Sequence, residues 1–415
     1  MQKLSFFVII YAGGFMTFAS RERFKERKYS YMKKKELDEE NPLLKLGKII
    51  VFSPLLVFGT IGQIIDKNNK RIMIPKKMSK STIEYGAYHS PDFICLPFKY
   101  NVGNFIESLE NGANVLVQAG GGCKYGYYSE LQKQILEDLG YQFDYITLVD
   151  MGKIKPFRVY KKFKKINPKL SFLKFIYRFC VAAAIAYYLD KFEDYMRKNL
   201  AYELKKGEFN LLHQKFLIKL KKVKNFRELL KTKNIYLNKL KSVKVISKDE
   251  RNKKIKIGII GELFTSMEQF SSDNIERKLN DLGAATKRYT TITYLMVKKP
   301  FEMKKLIKNS SKYIKYELGA DGTTSVAHAI ELAKKGYDGI IHIKPFGCTP
   351  EENAVPILQK VSRDYNIPIM YLTFDTQNSD TGVNTRLEAF YDMLSMKREN
   401  LEQRNNNIKG VLNEQ

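Results

Sequence analysis

Two stretches of the chain alternate short apolar runs with amphipathic segments that stop at a glycine. In the first stretch, the apolar run Asn114–Gln118 precedes a helical pattern over Tyr127–Leu139, which stops at Gly140. The second stretch repeats this rhythm in the helical pattern Ser325–Lys335, which stops at Gly336, and in the apolar run Gly339–Ile343, which a further helical pattern, Pro350–Tyr365, follows. Glycine is a common helix terminator, and alternating strand and helix patterns are typical of a parallel sheet covered by helices. The sequence therefore predicts an α/β fold with two Rossmann- or flavodoxin-like parallel-sheet lobes.

The same patterns extend along both stretches and set the predicted domain boundaries. Further strands are predicted at Arg71–Pro75, Asp92–Cys95, Phe143–Val149, Ile255–Ile260 and Ile369–Phe374, and further helices at Ser272–Leu282 and Thr385–Met396. We divide the chain into a divergent N-terminal segment (1–46), a first lobe (47–150), a helical basic segment (151–252), a second lobe (253–396) and a polar, frayed tail (397–415).

Positive charge is concentrated in the middle of the chain. The net charge is +28, and residues 151–256 hold 31 Lys/Arg against 8 Asp/Glu. Residues 171–243 have helical periodicity, with Leu, Phe and Tyr inward and Lys outward, which predicts several long helices between the two lobes. Such a surface attracts acidic proteins, nucleic acid, anionic lipid or phosphorylated small molecules, although a lysine-rich composition produces it too. The segment has no nucleic-acid motif, so an acidic protein partner is the better expectation.

The N-terminus carries an apolar run, Leu4–Ala19, which is followed by Arg21-Glu22-Arg23. It is short for a membrane span, which needs about 20 apolar residues, and it lacks the strongly basic start of a signal peptide. We therefore predict a cytoplasmic protein, with an N-terminal membrane anchor as the alternative.

Four cysteines in 415 residues do not make a disulfide framework. Cys95, Cys123 and Cys348 each come at or just past the carboxyl end of a predicted strand, where open α/β sheets bind their ligands. Cys180 lies in an apolar helical pattern and is predicted to be a core residue, which is the commonest environment for a lone cysteine.

Glycine and proline surround the three loop cysteines. Gly121, Gly122 and Gly347 let the backbone approach a bound group and offer N–H donors to sulfur. Three fixed thiolates with one open position would suit a cuboidal iron–sulfur cluster. Zinc accepts the same ligands, but the short-spaced cysteine pairs of structural zinc sites are missing, and buried structural thiols remain the alternative.

Several motifs in these loops resemble the 2-hydroxyacyl-CoA dehydratase superfamily, and most closely its acyl-CoA dehydratase activase-related branch, often labelled CoA-substrate-specific enzyme activase. The resemblance runs roughly over residues 70–395. The motifs that carry it are Cys95-Leu96-Pro97-Phe98-Lys99, Gly120-Gly121-Gly122-Cys123-Lys124-Tyr125-Gly126-Tyr127-Tyr128, His342-Ile343-Lys344-Pro345-Phe346-Gly347-Cys348-Thr349-Pro350-Glu351, Gly261–Glu268 and Phe374–Glu388.

The resemblance implies two lobes around an oxygen-sensitive 4Fe–4S cluster that is held by Cys95, Cys123 and Cys348. It also implies an ATP-dependent activator of actin/Hsp70-like fold that delivers a low-potential electron, a paralogous subunit or a homodimer, and an acyl-CoA-type substrate for a lyase or reductase reaction in an anaerobic setting. This chain has no phosphate-binding G-x-x-x-x-G-K-[ST] motif of its own. A non-catalytic iron–sulfur accessory, relay or sensor protein is the alternative.

Two further residues near the predicted cleft are singled out. Glu262 follows the predicted strand Ile255–Ile260, so its carboxylate can serve as an acid or base there, or simply cap a helix. His342 lies inside a buried strand pattern and is predicted to be a satisfied core histidine.

Overall fold

The computed structural model describes residues 50–52, 72–73, 75–76, 78–118, 128–147, 156–291, 293–294, 299–376 and 380–413. The N-terminal apolar run Leu4–Ala19 lies outside the described residues, as do Cys123, Gly121 and Gly122.

The described residues form two four-stranded sheets whose strands are all parallel. The strands are β1 (Ile50–Phe52), β2 (Ile72–Met73), β3 (Val115–Gln118), β4 (Asp144–Thr147), β5 (Lys256–Gly261), β6 (Ala285–Arg288), β7 (Gly339–Pro345) and β8 (Ile369–Phe374). The first sheet has the order β2-β1-β3-β4 and the second has the order β6-β5-β7-β8. The predicted α/β class with parallel sheets is confirmed.

Fourteen α-helices connect or follow these strands within the described residues. They are α1 (Lys80–His89), α2 (Leu96–Glu110), α3 (Tyr128–Asp138), α4 (Pro156–Ile166), α5 (Phe172–Asn199), α6 (Glu208–Leu220), α7 (Phe226–Ser242), α8 (Lys248–Asn252), α9 (Leu263–Met267), α10 (Ile275–Asp281), α11 (Lys299–Asn309), α12 (Gly322–Lys334), α13 (Thr349–Tyr365) and α14 (Asp380–Asn413).

The second sheet is covered on both faces, as expected for a parallel sheet. Side chains alternate between the faces along each strand. Ile257 and Ile259 of β5 pack with α10 and α14 on one face. Ile260, which points the other way, packs with α12 and α13. All seven residues of β7 are buried, which accounts for the mainly apolar run that predicted it.

Helix α2 lies between the two sheets. Thirteen of its 15 residues are buried, as expected for a helix that is covered on all sides. Leu96 and Tyr100 belong to the apolar cluster of the second sheet, whereas Phe98 and Phe105 belong to that of the first sheet. Its position makes α2 the packing link between the sheets.

The strand predicted at Asp92–Cys95 is wrong. Residues 92–94 form a turn and bend, and Cys95 is the N-cap residue of α2. A short apolar run next to proline does not distinguish a buried strand from the start of a buried helix, because periodicity is uninformative when every side is covered. The cysteine therefore stands at a helix N-terminus and not at a strand end.

Helices α5, α6 and α7 form a separate apolar cluster, so the predicted helical character of residues 171–243 is confirmed. Helix α5 also contacts the edge strand β6 of the second sheet, where Asp194 and Lys287 pair at 3.3 Å. Cys180, predicted as a core residue, is exposed on α5, because Val181 and Ile185 occupy the buried side of the helix.

Within the described residues, Phe172–Tyr202 is the one stretch whose length and composition would allow it to cross a membrane. A core helix passes the same test, and the C-terminal half of α5 packs in the three-helix cluster.

The last helix is longer than predicted. Helix α14 runs to Asn413, whereas the sequence pattern ends it at Met396 and predicts a frayed tail, so that prediction is wrong for residues 397–413. Arg398 donates two hydrogen bonds to the Asp338 carboxylate, at 2.7 and 2.8 Å, and one each to the carbonyls of Lys253 and Lys254. Both bonds to Asp338 come from Nη2, and both bonds to the carbonyls come from Nη1. The guanidinium group therefore holds α14 at its exit from the core.

Candidate functional site

The strand order of the second sheet reverses between β5 and β7. The chain leaves β5 toward β6 on one side and leaves β7 toward β8 on the other. Open α/β sheets bind ligands in the crevice at such a reversal, beyond the carboxyl ends of the strands. Glu262 directly follows β5, and Cys348 follows β7 through Phe346 and Gly347, so both predicted residues stand at this crevice.

Cys348 is the N-cap residue of α13, and Pro350 follows in the first turn. The glycine before it is required by two features of the backbone. Gly347 has a φ of +76°, and a Cβ at this position would lie 3.0 Å from the carbonyl oxygen of Phe93. The loop that carries Cys348 therefore contacts the turn that precedes Cys95.

Cys95 occupies the corresponding position on α2, with Pro97 in the first turn. Its sulfur contacts the hydroxyl of Tyr128, the first residue of α3. The Tyr128 ring packs edge-on against Phe98, with centroids 5.1 Å apart. The Nζ of Lys99 donates to the carbonyl of Asp92 at 3.1 Å, which ties the turn before Cys95 to the helix after it.

A buried polar network joins the two ends of the segment that contains Cys123. Gln118, the last residue of β3, accepts a hydrogen bond from the Ser129 hydroxyl at 2.5 Å and donates to Gln132 at 2.6 Å. The Tyr145 hydroxyl also donates to Gln132, at 3.1 Å. The end of β3 and the start of α3 therefore lie side by side, and Tyr128, the first residue of α3, contacts Cys95.

The Cys348 thiol lies in an environment that disfavours a thiolate. Burial, followed by the nearby carboxylates of Glu262 and Glu351, raises the pKa of Cys348 far above its ordinary value. A negative charge on Cys95 makes a smaller contribution in the same direction. Without a compensating cation Cys348 is a protonated thiol at neutral pH, and a bound metal would have to displace its proton.

Glu262 is half-buried and caps the short helix α9. Its carboxylate accepts hydrogen bonds from the backbone N–H groups of Phe264 at 2.9 Å and Thr265 at 2.8 Å, and from the Thr265 hydroxyl at 2.8 Å. Burial, with a smaller contribution from Asp321, outweighs these bonds and raises the pKa of Glu262 to about 7. The residue that caps α9 thus also carries a carboxyl group that can exchange a proton near neutral pH.

The backbone of Glu262 is fixed as firmly as its side chain. Its N–H donates to the carbonyl of Ile343 at 3.0 Å. The preceding Gly261 has a φ of +135°, and a Cβ there would lie 1.8 Å from the same carbonyl oxygen. The close pairing of β5 and β7 at Gly261 and Ile343 therefore sets the position of Glu262 relative to the Cys348 loop.

A buried histidine–carboxylate pair lies behind the Cys348 loop. His342 and Glu351 are both fully buried, and the Nε2 of His342 lies 2.7 Å from a carboxylate oxygen of Glu351, whose other oxygen accepts from Ser325 at 3.1 Å. The prediction of a core histidine is confirmed by this burial, but the histidine is only half satisfied, because its buried Nδ1 has no hydrogen-bond partner among the described residues. Sequence analysis missed Glu351 as its partner, although a glutamate in the first turn of the helix after Cys348 was a visible signal.

The structure thus brings together Cys95, Cys348, Gly347 and Glu262. Cys123, Gly121 and Gly122 lie outside the described residues. In the part of the chain that is described, no three His, Cys, Asp or Glu side chains come together as a metal-binding group. The two described thiols are therefore an incomplete ligand set on their own.

A protein-family model matches the part of the chain that contains Glu262 and Cys348. Residues 221–394 match the family model of the 2-hydroxyglutaryl-CoA dehydratase D-component. The match supports a relationship to the 2-hydroxyacyl-CoA dehydratase superfamily for the part of the chain that holds the second sheet, Glu262 and Cys348. It stops short of α2 and Cys95, and it does not point to the activase-related branch. No curated protein has a significant match to the chain.

Proposed function

We propose that the protein is an iron–sulfur subunit of the 2-hydroxyacyl-CoA dehydratase type, from the activase-related branch. In this proposal Cys95, Cys123 and Cys348 hold a 4Fe–4S cluster at the mouth between two α/β lobes. Gly121, Gly122 and Gly347 allow the backbone to approach the cluster closely.

One observation carries the proposal: the Cys95 and Cys348 loops, which are far apart in sequence, meet between the two sheets. The close approach of Gly347 to the Phe93 carbonyl joins the two loops. A negative charge on Cys95 also raises the pKa of Cys348. Because Tyr128 contacts the Cys95 sulfur, the end of the Cys123 segment is held beside the same point. The matched family segment contains one of the three cysteines.

The chemistry of the donors fits such a cluster. Two thiols stand at the N-termini of α2 and α13, where N–H groups and the helix dipole favour negative charge. At Cys348, burial and the carboxylates of Glu262 and Glu351 oppose the thiolate more strongly and raise its pKa. The positive charge of bound iron would therefore be needed to hold Cys348 deprotonated. A cluster would supply one-electron transfer when bound. Glu262, with its pKa raised to about 7, would exchange a proton with substrate at the same mouth. The Phe93 and Phe346 side chains, 86% and 49% exposed, would form the apolar rim that substrate or partner meets.

In this proposal the protein works with two partners and a substrate. An ATP-dependent activator of actin/Hsp70-like fold would deliver the low-potential electron, and a paralogous subunit or a second copy would complete the assembly. The substrate would be an acyl-CoA-type molecule, and the protein would work in an anaerobic cytoplasm.

The first test is iron and acid-labile sulfide content, with visible absorption, on protein purified without oxygen. We expect about four irons per chain, as for one 4Fe–4S cluster, and loss of most of this iron in Cys95→Ala, Cys123→Ala and Cys348→Ala. Cys180→Ala is the matched control, because this cysteine is exposed on α5 and should keep the full iron content. A colourless, metal-free parent after reconstitution, or equal iron in all four variants, would refute the cluster.

A non-catalytic relay or sensor is the second candidate, since the Glu262 carboxylate is already engaged by three hydrogen bonds. The discriminating measurement is the electron paramagnetic resonance spectrum of the reduced protein during addition of acyl-CoAs. A changed spectrum, with turnover when the activator is present, would support the enzyme. An unchanged spectrum across the panel would support the relay.

A further inference from the structure

Helix α4 and the first turns of α5 expose a group of large apolar side chains. Phe157, Phe172, Leu173 and Tyr177 are 57%, 42%, 81% and 46% exposed, respectively. The Phe157 and Phe172 rings are in contact, with centroids 6.2 Å apart, so the exposed apolar surface is continuous across the two helices. We call these four residues the aromatic face.

The aromatic face is held outward by a rigid base. Beneath it, Tyr160, Phe163 and Phe175 are buried. The Tyr160 ring packs against Phe172 at 5.1 Å and against Phe175 at 5.5 Å. The inner rings therefore form a packed layer between α4 and α5, with the four exposed side chains outside it.

The charge around the aromatic face is of one sign. Residues 151–189 contain ten Lys/Arg and no Asp or Glu. Five of these basic side chains are exposed around the face, namely Arg158, Lys161, Lys164, Lys169 and Lys174. None of the five forms an ion pair with any residue that the structure describes. The Nζ of Lys161 lies 4.9 Å from the Phe157 ring centroid, so charge and apolar surface are interleaved.

We propose that the aromatic face and its five basic neighbours bind the surface of an anionic lipid bilayer. Aromatic and aliphatic side chains enter the headgroup region while lysine and arginine contact lipid phosphates, as in other interfacial proteins. Leu173, the most exposed of the four side chains, favours a lipid bilayer over nucleic acid as the anionic partner. An aliphatic side chain gains free energy in the acyl region of a bilayer, whereas nucleic-acid surfaces offer it phosphate and sugar.

The test is co-sedimentation of the full chain with vesicles of equal parts phosphatidylglycerol and phosphatidylcholine, against vesicles of phosphatidylcholine alone. We expect binding to the anionic vesicles only, weakened by salt. Lys161→Glu combined with Lys164→Glu should lower the partition coefficient about thirtyfold. Leu173→Ser should lower it about fivefold, and to a similar extent at high salt, because its contribution is apolar.

Matched controls separate this face from the overall charge of the chain. Lys231→Glu combined with Lys241→Glu changes the net charge equally on exposed positions of α7, and Leu230→Ser removes an apolar side chain that is 44% exposed on that helix. Both should bind vesicles like the parent.

Three outcomes would overturn the proposal. If the aromatic-face variants bind vesicles as the parent does, another segment carries the binding. If the α7 variants lose binding equally, only net charge acts. If the parent binds duplex or single-stranded nucleic acid but not vesicles, and Leu173→Ser is without effect, the face is a nucleic-acid site.

Discussion

Replacing Gly103 with alanine would place a methyl group against the backbone of the neighbouring helix. Helices α1 and α2 cross so closely that a Cβ on Gly103 would lie 1.9 Å from the carbonyl oxygen of Thr82. On the facing helix, a Cβ on Gly86 would lie 1.7 Å from the carbonyl oxygen of Lys99. Both obstacles are main-chain atoms, which no side-chain rotation relieves.

The size of the effect follows from this geometry. Ordinary contact begins at 3.4 Å, so the helices must separate by roughly 1.5 Å, and overpacking of this kind costs about 1–3 kcal/mol. Alanine recovers up to about 1 kcal/mol through its higher helix propensity. Because 13 of the 15 residues of α2 are buried, the neighbours have little freedom to adjust. We expect Gly103→Ala to lower the free energy of unfolding by about 2 kcal/mol.

The assay is urea unfolding followed by far-ultraviolet circular dichroism and by tyrosine fluorescence, since the chain has 26 Tyr and no Trp. Gly336→Ala is the control, because its Cβ would meet no atom within 4 Å and only its φ of +69° is strained; that strain costs about 1 kcal/mol. An unfolding midpoint for Gly103→Ala equal to that of the parent, or no lower than that of Gly336→Ala, would refute the close crossing. Since Cys95 begins α2, the same variant should also retain less iron if the cluster is present.

Three further predictions concern buried charges. Burial raises the pKa of Glu262 from 4.5 to about 7, so the folded protein loses stability as the pH rises from 4.5 through 7. Glu262→Gln should reduce this loss by about 1–3 kcal/mol in the pH dependence of urea unfolding. Parallel stability-against-pH curves for the parent and the variant would contradict the shifted pKa. Glu351→Leu should cost about 3–5 kcal/mol in the same assay, because it leaves buried His342 unpaired. Adding His342→Leu to that variant should restore much of the lost stability. If the losses of the two single variants simply add in the double variant, the pair is not coupled. Arg398→Ala should cost about 1–2 kcal/mol by removing the hydrogen bonds to Asp338 and to the carbonyls of Lys253 and Lys254. Arg398→Lys should recover less than half of this loss, because one ammonium group does not replace two guanidinium nitrogens that donate in different directions. Full recovery by lysine would show that only charge matters.

Strands of the second sheet could be predicted from sequence because their buried and partly buried positions hold mainly apolar residues. Ile369–Phe374 was predicted with the bounds that the structure has, and Gly339–Ile343 falls two residues short of β7. Helices with a solvated side were predicted nearly as well, as with α13, where one side is apolar and glutamate and lysine cover the other.

Sequence patterns were least informative where tertiary packing decides the environment. Leu96–Glu110 is buried on almost every side and carries polar residues among the buried ones, so its sequence does not separate a buried side from a solvated side. The cysteine that precedes it was therefore assigned to a strand end. Cys180 lies in an equally apolar pattern but is exposed, because the three-helix cluster uses another side of α5. Residues 397–413 are mainly polar, and contacts such as that of Arg398 with Asp338 hold the helix at its exit from the core.

For the candidate site, the sequence by itself determined which residue types stand in the loops: three cysteines beside glycine and proline, and a glutamate after a strand. Only the tertiary structure decided that Cys95 and Cys348 begin two different helices whose preceding turns touch. Packing also decided that Glu351 and His342 pair beneath them, and that burial brings the pKa of Glu262 near neutrality. The physical reason is that local sequence fixes backbone conformation and polarity over a few residues. Distances between loops, and the desolvation that shifts a pKa, depend on how separate elements pack.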